Sequence, residues 1–234
     1  MTNATAVPFD PRVPLLLLLS VTTGLVDAAS VLGLGKVFTA NMTGNVVFLG
    51  FAAAGTPGFK VLPFIAAIAS FLVGALISGR LGKASVGQTE RRWLLISAVV
   101  EAALLWAAAI VAIDFDVATQ APQARLFAII ALTGIAMGYR NGTIRQLKVA
   151  DLTTTVLTMT LTGLGADSSI AGGANTNWRR RVAAVVAIFA GAALGAWLLV
   201  KMGLVAPLAI AGVLVLFGTL ACAWHPATLR KVAG

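Results

Sequence analysis

Thr39, Asn41, Thr43 and Asn45 stand at alternate positions, separated by Ala40, Met42 and Gly44, within a hydrophobic stretch. A period of two suits an extended segment showing one polar face. The apolar run that follows, Val46 to Ala54, is about long enough for a half-helix, and Thr43 or Asn45 is placed to cap it. A helix that starts inside a membrane aims unsatisfied N–H groups and about half a positive charge beyond its first turn. Anions and carbonyl oxygens are the natural guests there. A second polar stretch, Thr153 to Thr160, interrupts another hydrophobic region half the protein later and carries Thr154, Thr158 and Thr160. Duplicated polar backbone at membrane depth marks a pathway or binding site for a small polar or anionic solute. The competing reading is that these Thr and Asn side chains hydrogen-bond neighbouring helices, a use that contributes ~0.6 kcal/mol per contact.

Asp27 and Glu101 are the acidic residues well inside hydrophobic runs. A carboxylate at that depth costs at least ~2.5 kcal/mol, so it faces a protein interior or a water-filled cavity and finds a partner. Both are candidates for proton coupling. Asp27 lies just ahead of the first polar stretch, and a helix-to-helix hydrogen bond near Gly24 is the alternative role. For Glu101 the alternative is pairing with Arg140 or Arg80, while Arg140 itself is expected to snorkel to the cytoplasmic surface.

The elements that must position these residues are membrane helices. Of the 234 residues 59% are hydrophobic and 11% charged, with a mean hydropathy of +0.95. A soluble domain is roughly a quarter charged, so the bilayer is the solvent. Long apolar runs extend from Val13 to Gly35, Val61 to Gly79, Trp93 to Ile113, Leu126 to Tyr139, Val182 to Val200 and Met202 to Trp224. Most approach the ~20 residues a helix needs to cross ~30 Å of hydrocarbon, the Leu126 run being the shortest. The expectation is an all-α polytopic membrane protein of six transmembrane helices plus two re-entrant or half-helix segments, in a single membrane domain over residues 1–234. The first run shows no convincing cleavage site and reads as an uncleaved span.

With the amino terminus cytoplasmic and both polar stretches dipping in and returning, all of the 17 Lys and Arg residues fall inside except Lys36, Lys60, Arg125 and Lys201. That distribution follows the positive-inside tendency and puts both termini in the cytoplasm. The net charge of +9 is then explained by basic loops facing anionic lipid, with no nucleic acid partner. Internal similarity points the same way. Gly24 and Asp27 align with Gly138 and Asn141, and Thr39, Thr43 and Asn45 with Thr154, Thr158 and Thr160. Ala66-Ala67 and Gly74-Ala75 align with Ala183-Ala184 and Gly191-Ala192. Repeat one covers about 13–113 and repeat two about 126–224, each reading as span, dip, span, span. Three crossings per repeat turn the second upside down relative to the first, which makes Asn141 the uncharged counterpart of Asp27 at the candidate site.

Gly24-Leu25-Val26-Asp27-Ala28-Ala29-Ser30, continuing through Leu32-Gly33 to Phe38-Thr39-Ala40-Asn41-Met42-Thr43-Gly44-Asn45, resembles the signature of the YoaK-like family of bacterial integral membrane proteins, a domain of unknown function. The resemblance extends over essentially the whole chain. It implies a polytopic protein of the bacterial inner membrane and carries over no substrate or catalytic residue.

No Ser/His, paired-carboxylate or metal-ligand constellation stands out, and Cys222 is the one cysteine, so neither an enzyme nor a metal or other cofactor is expected. A secondary transporter, a passive channel and a non-transport scaffold are the functions left to weigh, and a homo-oligomer is open in each case.

Overall fold

The computed structural model describes residues 10–147 and 157–232. In chain order its helices are α1 (Arg12–Gly33), α2 (Met42–Ala53), α3 (Val61–Ala84), α4 (Glu90–Val111), α5 (Gln123–Leu147), α6 (Leu157–Ala166), α7 (Trp178–Met202) and α8 (Val205–Ala223). Short 3-10 turns follow α6 at Ser169–Ala171 and α8 at Pro226–Leu229. Helices α1, α3, α4, α7 and α8 are each long and apolar enough to cross a bilayer. The chain is an all-helical, multi-pass membrane protein. Apolar side chains such as Leu76, Phe189 and Val200 are exposed on these helices, as helices that a bilayer surrounds would have them.

Left-handed residues end the helices where the chain must turn. After α1, Gly35 (φ 80°) and Lys36 (φ 67°) reverse direction while the Lys36 N–H returns to the Val31 carbonyl at 3.0 Å. Gly203 (φ 77°) closes α7 with its N–H on the Leu199 carbonyl, so α8 follows almost at once.

The packing is reciprocal between the two halves. Helix α1 lies chiefly against α7 and α3 against α5, while α4 lies against α8. At Gly24 a methyl group would strike the Ile188 carbonyl of α7, and at Gly138 it would strike the Phe71 carbonyl of α3. Gly191 abuts the Val21 carbonyl, and Gly74 abuts the Ile135 carbonyl. These four contacts form two matched pairs under the alignment of Gly24 with Gly138 and Gly74 with Gly191. Small residues let helix backbones meet where the bilayer provides no hydrophobic drive for association. The short helices match as well: α2 buries Asn45, α6 buries Thr160, and neither buries another residue.

Two expectations are corrected. The first concerns Thr43 and Asn45, which belong to the opening turn of α2 rather than to an extended strip, and neither caps it. The cap position is Asn41, which makes no side-chain cap bond. Asn45 is drawn away by a better set of partners, the backbone of Phe38. The second concerns α5, which continues through Arg140 and Asn141 to Leu147 instead of stopping at Tyr139. Its polar residues are satisfied inward, so the helix has no need to end: Asn141 Nδ2 donates to the Met137 carbonyl at 2.8 Å and Thr143 Oγ1 to the Tyr139 carbonyl at 3.0 Å.

Candidate functional site

A cavity of about 810 Å³ lies where α1 and α7 meet the beginnings of α2 and α6. Asp27, Asn41 and Thr43 line it from the first half, Asn141 and Thr158 from the second. Five of the residues singled out by type and spacing therefore share one space. Ala40 and Asn41 with the opening residues of α2, Met42 to Gly44, form one wall, and Leu157 and Thr158 bring the start of α6 to another.

Asp27 holds the approach to α2. Its Oδ1 accepts the Ala40 N–H at 2.9 Å and the Thr39 N–H at 3.3 Å. From the other side, Asn45 Oδ1 accepts the Phe38 N–H at 2.9 Å while its Nδ2 donates to the Phe38 carbonyl at 2.6 Å. The non-helical backbone from Phe38 to Ala40 is thus clamped between a carboxyl on α1 and an amide on α2. This satisfies peptide groups that no helix or strand pairs. The helix-to-helix bond considered for Asp27 takes the form of a side chain bonded to backbone.

Thr39 and Asn45 are fully buried and do not line the cavity. The Thr39 hydroxyl points to Ser30 Oγ at 3.5 Å. Thr160 is also buried outside the lining, and Thr154 falls outside the described residues. The distinction predicts different consequences for two asparagines four residues apart. Asn45→Ala strips the part-buried N–H and carbonyl of Phe38 of their partner and is expected to lower stability by about 1–3 kcal/mol. Asn41→Ala, at an exposed cavity position, should leave the melting temperature of the detergent-solubilised protein near that of the wild type.

Glu101 lies elsewhere, in an ion pair with Arg140. Arg140 Nε donates to Glu101 Oε1 at 2.6 Å, and its Nη1 donates to the Leu19 carbonyl and to Thr23 Oγ1, both at 3.1 Å. Arg140 is 1% exposed, so the expected snorkelling to the surface is corrected, and Arg140 leaves the tally of cytoplasmic loop cations. A carboxylate one helix away outcompetes the long reach to water. Thr23 lines the cavity, so this charged centre sits directly behind the cavity wall.

Sequence reasoning missed the apolar lining. Phe38, Met42, Phe48 and Phe71 border the cavity, and Phe38, Phe48, Phe51, Phe59 and Phe64 form a continuous aromatic cluster that seats α2 on α3, with ring centroids 5.2–6.4 Å apart. Lys36 Nζ lies 4.5 Å from the Phe59 ring centre and closes that cluster. The density of phenylalanine between Phe38 and Phe64 is its mark in the sequence, a mark that the polar motifs overshadowed.

A family model described as "Protein of unknown function (DUF1275)" matches residues 15–221. The UPF0700 transmembrane protein YoaK of Bacillus subtilis (strain 168) is 35% identical over 158 residues, covering 68% of this chain and 68% of that protein. No solved structure matches. With the family model spanning nearly all of its helices, the chain belongs to the DUF1275 family of YoaK-like transmembrane proteins.

Proposed function

We propose that the protein is a secondary transporter of a small polar or anionic solute, coupled to protons through Asp27, in the bacterial inner membrane with both termini cytoplasmic. The observation that carries this reading is one cavity lined by Asp27, Asn41 and Thr43 together with Asn141 and Thr158. A site shared by two halves, at the tips of two short helices, is the arrangement that alternating access requires. The reciprocal glycine contacts support an inverted repeat, with α1, α3 and α4 as the spans of one half and α5, α7 and α8 as those of the other. On this reading α2 and α6 are the re-entrant segments, and α5 is the sixth crossing, its charge accommodated by Glu101.

Coupling follows from the contacts of Asp27. As a carboxylate it repels an anion and occupies the Thr39 and Ala40 amides. Once protonated it does neither as well, so an anionic solute and a proton enter together. The aromatic lining favours a solute with an apolar flank beside its polar end. Glu101, paired with Arg140, serves in this scheme as an anchor and not as a second proton carrier.

The test is a screen of small carboxylates and other polar solutes with purified protein in liposomes. Accumulation of one solute only under an imposed proton gradient is the expected result. Equilibration without accumulation would support a passive channel, and the absence of any flux would favour a scaffold.

A further inference from the structure

At the end of the bundle where α4 begins and α8 finishes, one arginine has an unusual setting. Arg91 Nε donates to the Ala223 carbonyl at 2.5 Å, which satisfies one of the carbonyls that the end of α8 leaves open and draws the two helix ends together. The carboxylates described at this end, Asp10 and Glu90, pair with other arginines. Asp10 holds Arg12 through bonds of 2.7 and 2.8 Å, and that guanidinium keeps the Asp10 carboxyl below its ordinary range. Glu90 Oε2 accepts from Arg230 Nε at 2.6 Å. Among the described residues, Arg91 has no carboxylate partner.

Beside Arg91 runs a groove of about 220 Å³ lined by Leu95, Leu220, Ala223 and Trp224. Apart from the Arg91 side chain its lining is apolar, contributed by the first turns of α4 and the last turn of α8. Trp224 is 74% exposed at the rim, a position suited to the headgroup layer. Arg92 and Lys231 are exposed at the same end and add to its positive field. The groove thus combines a cation at headgroup depth with a slot of acyl-chain character, and it lies apart from the cavity at Asp27.

We propose that this groove binds an anionic phospholipid, with the phosphate on Arg91 and an acyl chain against Leu95 and Leu220. A free phosphate would use the guanidinium but not the slot; a zwitterionic phospholipid would use the slot but carry its own cation beside the phosphate.

Thermal unfolding of delipidated protein in neutral detergent tests this, with dioleoyl phosphatidylglycerol, dioleoyl phosphatidylcholine or inorganic phosphate added. Phosphatidylglycerol should raise the melting temperature saturably, and neither of the others should match it. Arg91→Gln should weaken the apparent affinity at least about tenfold, the loss expected for a charge-assisted contact. Arg92→Gln, at an exposed position outside the groove lining, removes only part of the surrounding field and should weaken it no more than about twofold. Leu220→Trp, which fills the slot and keeps the guanidinium, should weaken it as Arg91→Gln does and stands in if that variant fails to fold. Equal stabilisation by phosphatidylcholine or by phosphate would overturn the proposal, as would undiminished binding in the groove variants.

Discussion

Glu101→Ala is expected to lower stability by about 3–5 kcal/mol, because it leaves the Arg140 guanidinium buried without its counter-charge. Arg140 is 1% and Glu101 4% exposed, so water cannot replace the missing carboxylate. The two remaining acceptors, the Leu19 carbonyl and Thr23 Oγ1, are neutral. A melting curve in detergent together with the folded yield after size-exclusion chromatography measures the effect. The pair as a whole is a different matter: its mutual attraction only offsets the cost of removing both ions from water. Glu101→Leu combined with Arg140→Met should therefore recover most of the loss, within about 1–2 kcal/mol of the wild type or above it. A single Glu101→Ala variant that melts with the wild type would show that the guanidinium finds compensation elsewhere.

The second large effect concerns transport. Asp27→Asn should abolish accumulation against a gradient while preserving exchange of solute across the membrane. The amide oxygen can still accept the Thr39 and Ala40 N–H groups, so the approach to α2 stays in place. What the variant lacks is an exchangeable proton, and with it any dependence of flux on pH that arises at this residue. Asn141, the aligned position in the second half, is already an amide bordering the same cavity. Asp27→Ala is the contrasting case, since it removes the acceptor and should also destabilise the protein by about 1–3 kcal/mol. Uptake by reconstituted wild type and Asp27→Asn, with and without an imposed proton gradient, decides the point. Gradient-driven accumulation by Asp27→Asn would remove Asp27 from the coupling scheme.

The long apolar helices were legible because runs of about twenty residues with at most one charge have few alternatives in a chain this hydrophobic. Asp27 and Asn141, which border one cavity, were legible as well, since polar residues stand out against Leu, Val and Ala. The far end of α5 was not. Arg140, Asn141 and Thr143 read as a loop by type, and only the placement of Glu101 and of the preceding carbonyls turns them into helix interior. The direction of Asn45 was hidden for a related reason: alternation placed it on one polar strip with Asn41, whereas its amide turns to the Phe38 backbone, a partner that spacing does not mark. The walls formed by Phe38, Phe48 and Phe71 carry no polar mark, so type and spacing alone did not assign them to a cavity.

The shortness of α2 has an electrical consequence. Its 12 residues extend about 18 Å, against the ~30 Å of a hydrocarbon core. On the proposed re-entrant arrangement the tip of α2 lies within the insulating layer, and the Asp27 carboxyl beside it, about 9 Å before the Gly33 end of α1, lies roughly a third of the way across. A proton reaching Asp27 from the nearer side then crosses about a third of the transmembrane voltage, corresponding to about 0.7 kcal/mol for each 100 mV. Occupancy of the carboxyl would follow the membrane potential as well as the pH difference, making both components of the proton-motive force act at a single residue.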